Sequence, residues 1–162
     1  MGRSEFIYAS ATIWKWKKSY GQYVTVFFEI GTDTTIFDGL EITGDTVLCD
    51  AHMGRYPVIC ISFKDAWGMT YEDARLQMWA AISREAGRHA YLQSSKHLDD
   101  IEKEALYKLR TGKGNLESSF MVLSDLLFHH YGRKVIILID EYDVCGCYRL
   151  FADFKGKHFY GF

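Results

Sequence analysis

Two short apolar runs lie far apart in this chain, and they limit its possible folds more than any other feature. RYPVICISF, from Arg55 to Phe63, and KVIILID, from Lys134 to Asp140, are continuously apolar apart from their ends and rich in β-branched residues. A strand with one wet face alternates apolar and polar side chains, whereas a strand covered on both faces has no need to. Both runs are therefore expected as buried strands. The stretch between them is long, polar and helical in period, which is the crossover connection that parallel strands require. The pattern predicts an α/β fold, with helices flanking a parallel sheet.

Local signals divide the crossover into helices. Thr70 followed by Asp73 places a hydroxyl and a carboxylate where the unpaired amides of a first turn need acceptors. Tyr71, Ala74, Met78, Ile82 and Ala86 then mark an apolar face. A shorter amphipathic segment follows, with Ile101, Ala105 and Leu109 at four-residue spacing, and stops at Gly112-Lys113-Gly114. A third helix carries Leu116, Phe120, Leu123 and Leu127 on one side, and Gly132 stands where a left-handed C-terminal cap is expected. The outer segments differ. Residues 1–25 are basic and aromatic, with an alternation closer to a strand than to a helix, and residues 145–162 show neither period.

With 162 residues, 48% of them hydrophobic, the chain can bury one core. Its 19 basic and 21 acidic residues leave a formal charge of -2, so no global field attracts nucleic acid or an anionic membrane. No apolar run is long enough to cross a bilayer, and the cytoplasm is the expected compartment. Cys49, Cys60, Cys145 and Cys147 do not form paired C-x-x-C knuckles, so no zinc site is expected, and Cys60 reads as a small buried hydrophobe.

The chemistry sits at the end of the second apolar run. Ile136 to Ile139 lead into Asp140-Glu141, which places two carboxylates at the C-terminal end of a buried parallel strand, where α/β sheets bind ligands. Asp140 in that position suits Mg²⁺ held through its water shell, and Glu141 suits a general base acting on an attacking water. Solvated acidic caps on strands look the same in sequence, and Asp143 reads more simply as a loop residue.

The chain also resembles a known family, the AAA-ATPase-like domain proteins of bacteria, often fused to a C-terminal nuclease-like domain. The resemblance runs through IFDGLEI from Ile36, MGRYPVICISFKD from Met53, the helix opening Thr70-Tyr71-Glu72, and SDLLFHHYGRKVIILIDEYDV from Ser124. It covers roughly residues 26–144, flanked by an aberrant segment at 1–25 and a divergent tail at 145–162. It implies an incomplete P-loop NTPase-type parallel sheet, with ATP and Mg²⁺ as cofactors in intact relatives, nucleotide as partner, and a nuclease-like domain in cis. Asp140 and Glu141 then look like the Walker B pair.

The family carries its phosphate-binding Walker A segment just before the stretch that begins here at Phe27, and this chain has IWKWKKSYGQYVTV there instead. Without G-x-x-x-x-G-K-[ST], no glycine turn presents amides to the phosphates and no lysine is placed for the β- and γ-oxygens. The segment from Tyr8 is compatible with that loop read in the wrong frame, since the single codons of Trp14 and Trp16 each force a glycine in the shifted frame. The expectation is a truncated relative with little or no ATPase activity, prone to aggregate through unpaired sheet edges.

A different reading takes residues 1–25 at face value. Trp14, Trp16, Tyr20 and Tyr23 among Lys15, Lys17 and Lys18 have the chemistry to stack bases and neutralise phosphates, as a non-catalytic module for single-stranded nucleic acid or a protein partner. A half-buried strand with its lysines in water is the plainer account. His129 and His130 fall near a helix C-terminus, where an imidazolium interacts well with the dipole. His52, His89, His97 and His158 are scattered and are assigned no chemistry.

Overall fold

A computed structural model of the chain describes residues 7–8, 20–64 and 70–140. The two apolar runs form β2 (Val58–Ser62) and β3 (Ile136–Asp140), paired in parallel from Val58 opposite Ile136 to Ser62 opposite Asp140. A two-residue strand, β1 (Ile7–Tyr8), lies parallel on the other side of β3, giving the order β1-β3-β2. The helical crossover between β2 and β3 explains why they run parallel. Each strand is shorter than its apolar run. Pro57 has no amide to give a ladder, and Tyr56 before it bridges to Glu29 instead.

The first helix departs from expectation. α1 (Tyr20–Phe28) lies where the aromatic alternation of residues 1–25 suggested a strand. The alternation hides a four-residue step, Tyr23 to Phe27, and both rings meet Phe37 edge-on, at 6.5 and 5.5 Å. Tertiary contact with one buried phenylalanine decides the matter over local pattern. A 3-10 turn at Thr34–Phe37, a second at Glu41–Gly44 and the short helix α2 (Thr46–His52) complete this part of the chain.

The crossover helices are α3 (Tyr71–Arg88), α4 (Asp100–Arg110) and α5 (Ser119–Tyr131). The expected capping box forms between Thr70 and Asp73, and a second one forms between Asp99 and Glu102 at the start of α4. Gly132 closes α5 in the left-handed conformation, at φ 64°.

Ile59 and Ile61 of β2, Phe63 just after it, and Ile137 of β3 pack against all three helices as one core. Met78, Ile82 and Ala86 are buried as their spacing predicts, as are Leu116, Phe120, Leu123 and Leu127. Four expected core residues are not buried: Tyr71 is 70% exposed and Ile101 80% exposed, while Ala74 and Ala105 are half-buried. Tyr71 and Ile101 stand in the first turn of their helices, and on α4, which packs on α3 and α5, it is Leu106 and Leu109 that are buried. The opposite face of the sheet belongs to α1, which touches β2 and β3 and whose Thr25 hydrogen-bonds the Cys60 thiol. No helix among the described residues is long and apolar enough to cross a membrane.

A candidate carboxylate site at the end of the central strand

β3 is the middle strand, and its last residue, Asp140, emerges exposed at the C-terminal end of the sheet. Its backbone is fixed there because Phe63 donates its N–H to the Asp140 carbonyl at 3.0 Å. The side chain is held from the neighbouring strand, with Ser62 Oγ donating to Asp140 Oδ2 at 3.4 Å. Lys64 in turn donates its amide to Ser62 Oγ at 3.4 Å. Ser62 and Asp140 are 78 positions apart in the chain and side by side in the parallel register. Sequence reasoning missed Ser62, and only the register could have revealed it.

An exposed carboxylate with one oxygen steadied by a hydroxyl, and the other without a hydrogen bond among the described residues, suits an ion that keeps its water shell, as Mg²⁺ does. Glu141 and Asp143 lie outside the described residues. So do Cys145, Cys147 and His158, and Trp14 to Lys18 of the basic aromatic segment. Of that segment's four stacking candidates, Tyr20 opens α1, and the Tyr23 ring packs on Phe37.

β1 runs parallel to β3, so its C-terminal end points to the same side of the sheet as Asp140, and α1 follows twelve positions later at Tyr20. Nowhere in the 162 residues does G-x-x-x-x-G-K-[ST] occur. Gly39 to Thr46 has the glycine spacing and the hydroxyl, but Asp45 stands where the lysine belongs, and its carboxylate accepts the Leu48 N–H at 3.0 Å as the cap of α2. An anion at that turn would meet like charge. Gly112-Lys113-Gly114 does not substitute, since glycine stands where the hydroxyl belongs, and the Lys113 amide closes the end of α4 by donating to the Lys108 carbonyl at 2.9 Å.

The histidine pair at the end of α5 divides. His129 Nδ1 pairs with the Glu102 carboxylate of α4. His130 meets Ser95 Oγ at 2.8 Å, and burial together with neighbouring His97 lowers its pKa. That direction disfavours the imidazolium, so the expected interaction of a charged His130 with the helix dipole is not what this site favours. His89 is 2% exposed and hydrogen-bonds Tyr91 at 3.1 Å, a satisfied buried group.

A family model described as a predicted AAA-ATPase, of AAA-ATPase-like type, matches residues 18–150. No curated protein and no solved structure matches the chain.

Proposed function

The chain belongs to the AAA-ATPase-like family, and from that premise we propose that it is a P-loop-type relative that keeps the Walker B carboxylate but hydrolyses little or no ATP. One observation carries this reading: Asp140 stands at the C-terminal end of the central parallel strand in a chain without any G-x-x-x-x-G-K-[ST] segment. Asp140 is the residue that would hold hydrated Mg²⁺, and Glu141 the one that would polarise water. The phosphates would lack their cradle of amides and their lysine, so the charge that builds up during phosphoryl transfer would go unstabilised. ATP and Mg²⁺ are thus ligands of the family, and weak ones for this chain.

The test is a pair of measurements on the purified protein, Mg²⁺-dependent release of phosphate from ATP and equilibrium binding of Mg-ATP. The expected result is no hydrolysis above buffer, with binding in the millimolar range at best, on the order of the -4 kcal/mol that such affinity represents. Hydrolysis that depends on Mg²⁺ and disappears in Glu141→Gln would overturn the reading and make the chain a working ATPase.

A further inference from the structure

Among the described residues β2 ends the sheet on its side, because the strand order is β1-β3-β2. Along a parallel strand, successive residues turn their amide and carbonyl to alternate sides. Phe63 donates to the Asp140 carbonyl and Pro57 accepts from the Ile136 amide, so the odd-numbered residues of β2 face β3. Val58 and Cys60 therefore turn theirs outward, where a fourth strand would pair. An edge of this kind is a template for another chain unless something covers it.

Side chains of α3 cover it. Arg88 Nη2 donates to the Val58 carbonyl at 2.5 Å, and Glu85 Oε1 accepts from the Cys60 amide at 2.8 Å. A donor and an acceptor one helical turn apart thus meet an acceptor and a donor two residues apart on the strand. Just before them, true backbone does the same work, with Ile30 donating to the Tyr56 carbonyl at 3.0 Å and Tyr56 to the Phe28 carbonyl at 2.9 Å. Arg88 joins the two stretches by also pairing with the Glu29 carboxylate.

The groups doing this are costly to keep. Glu85 is 6% exposed on a helix face otherwise lined by Met78, Ala81, Ile82 and Ala86. Burial pushes its carboxyl pKa up, but hydrogen bonds from His89 and Arg88 more than reverse this and hold it below the usual glutamate value. Replacing a buried ion pair by apolar side chains is often neutral or stabilising, so core stability alone does not explain a charge here. Its fit to the backbone groups of β2 does.

We propose that Glu85 and Arg88 stand in for a fourth strand and close the β2 edge against pairing with the β2 edge of a second copy. The strand they cover is suited to self-pairing: Val58 to Phe63 carries no charged residue and no proline, and Val58, Ile59 and Ile61 are β-branched.

The test compares the parent with a Glu85→Ala, Arg88→Ala double variant and with Glu85→Gln, whose amide oxygen still accepts from Cys60. Two quantities are read: hydrogen exchange at the Cys60 amide and sedimentation at matched concentrations. In the double variant, Cys60 exchanges at least about tenfold faster while Ile59 and Ile61 stay protected, and the sedimenting species grows with concentration beyond the parent. Glu85→Gln stays close to the parent in both. Should the double variant not fold, Glu85→Ala carries the same two readings. A Cys60 amide still protected without the carboxylate overturns the clasp. A freely exchanging edge with parent-like sedimentation overturns its role against self-pairing, as does association of Glu85→Gln.

Discussion

Residues 33–52 and the helices α3 to α5 are held in place by different means. The three helices bury whole side chains, with Ile82, Leu106, Leu123 and Leu127 all at 1% exposure or less. Each such residue contributes roughly 1.5–3 kcal/mol of transfer free energy, before the ordering entropy that opposes it. In residues 33–52 Phe37 alone is buried, while Val47 stands 79% exposed and Leu40 48% exposed. Local hydrogen bonds shape this segment instead: Asp33 caps one 3-10 turn, Asp45 caps α2, and Thr43 Oγ1 donates to the Leu40 carbonyl at 2.7 Å. Caps define where a turn begins, but they do not anchor it to a core. Phe37, with the rings of Tyr23 and Phe27 against it, supplies the anchor.

The contrast can be broken from either side. The largest effect belongs to the helical layer, where Leu127→Ala leaves a cavity among side chains that cannot close around it. It is expected to cost about 2–5 kcal/mol in urea unfolding, with the whole domain responding as one unit. A loss under about 1 kcal/mol would mean that this layer is loosely packed, and the distinction would collapse. Phe37→Ala comes next and should act locally. Amide protection falls across residues 33–52 while the amides of β3 and α5 keep theirs, so the global midpoint moves less than for Leu127→Ala. Equal loss of protection everywhere would show that the segment folds with the core. The smallest effect is Val47→Ser, an exposed position on α2, expected to change stability by no more than about 0.5 kcal/mol. A larger loss in the thermal midpoint would mean that Val47 is covered in solution.

What was legible in the sequence follows the same division. Thr70 with Asp73, and Gly132 after α5, act over three or four residues, and both were readable. The Asp99–Glu102 box acts over the same range with different residues, and it lies in a polar stretch that hides its start. Apolar period predicted most of the faces of α3 and α5. It misjudged Ile101 because a period does not say where along a helix the contact with the core ends. It also passed over Glu85, a charge on the buried side of α3, whose partners lie on β2. In the candidate site Asp140 stood out because strand and carboxylate are adjacent in the chain, whereas Ser62 did not, being 78 positions distant.

By itself, then, the order of residues determined which segments prefer strand or helix across the crossover, where two of the helices start or stop, and which carboxylate ends the middle strand. Those are properties of neighbours along the chain, set by dihedral preference, periodicity and capping. The tertiary structure alone decided that residues 20–28 form a helix, that Leu106 and not Ile101 enters the core, and that Ser62 steadies Asp140. It also decided that Glu85 and Arg88 reach the open side of β2. In each case the deciding partner comes from elsewhere in the chain. Its contribution exists only once the sheet register and the helix layer have brought the two together.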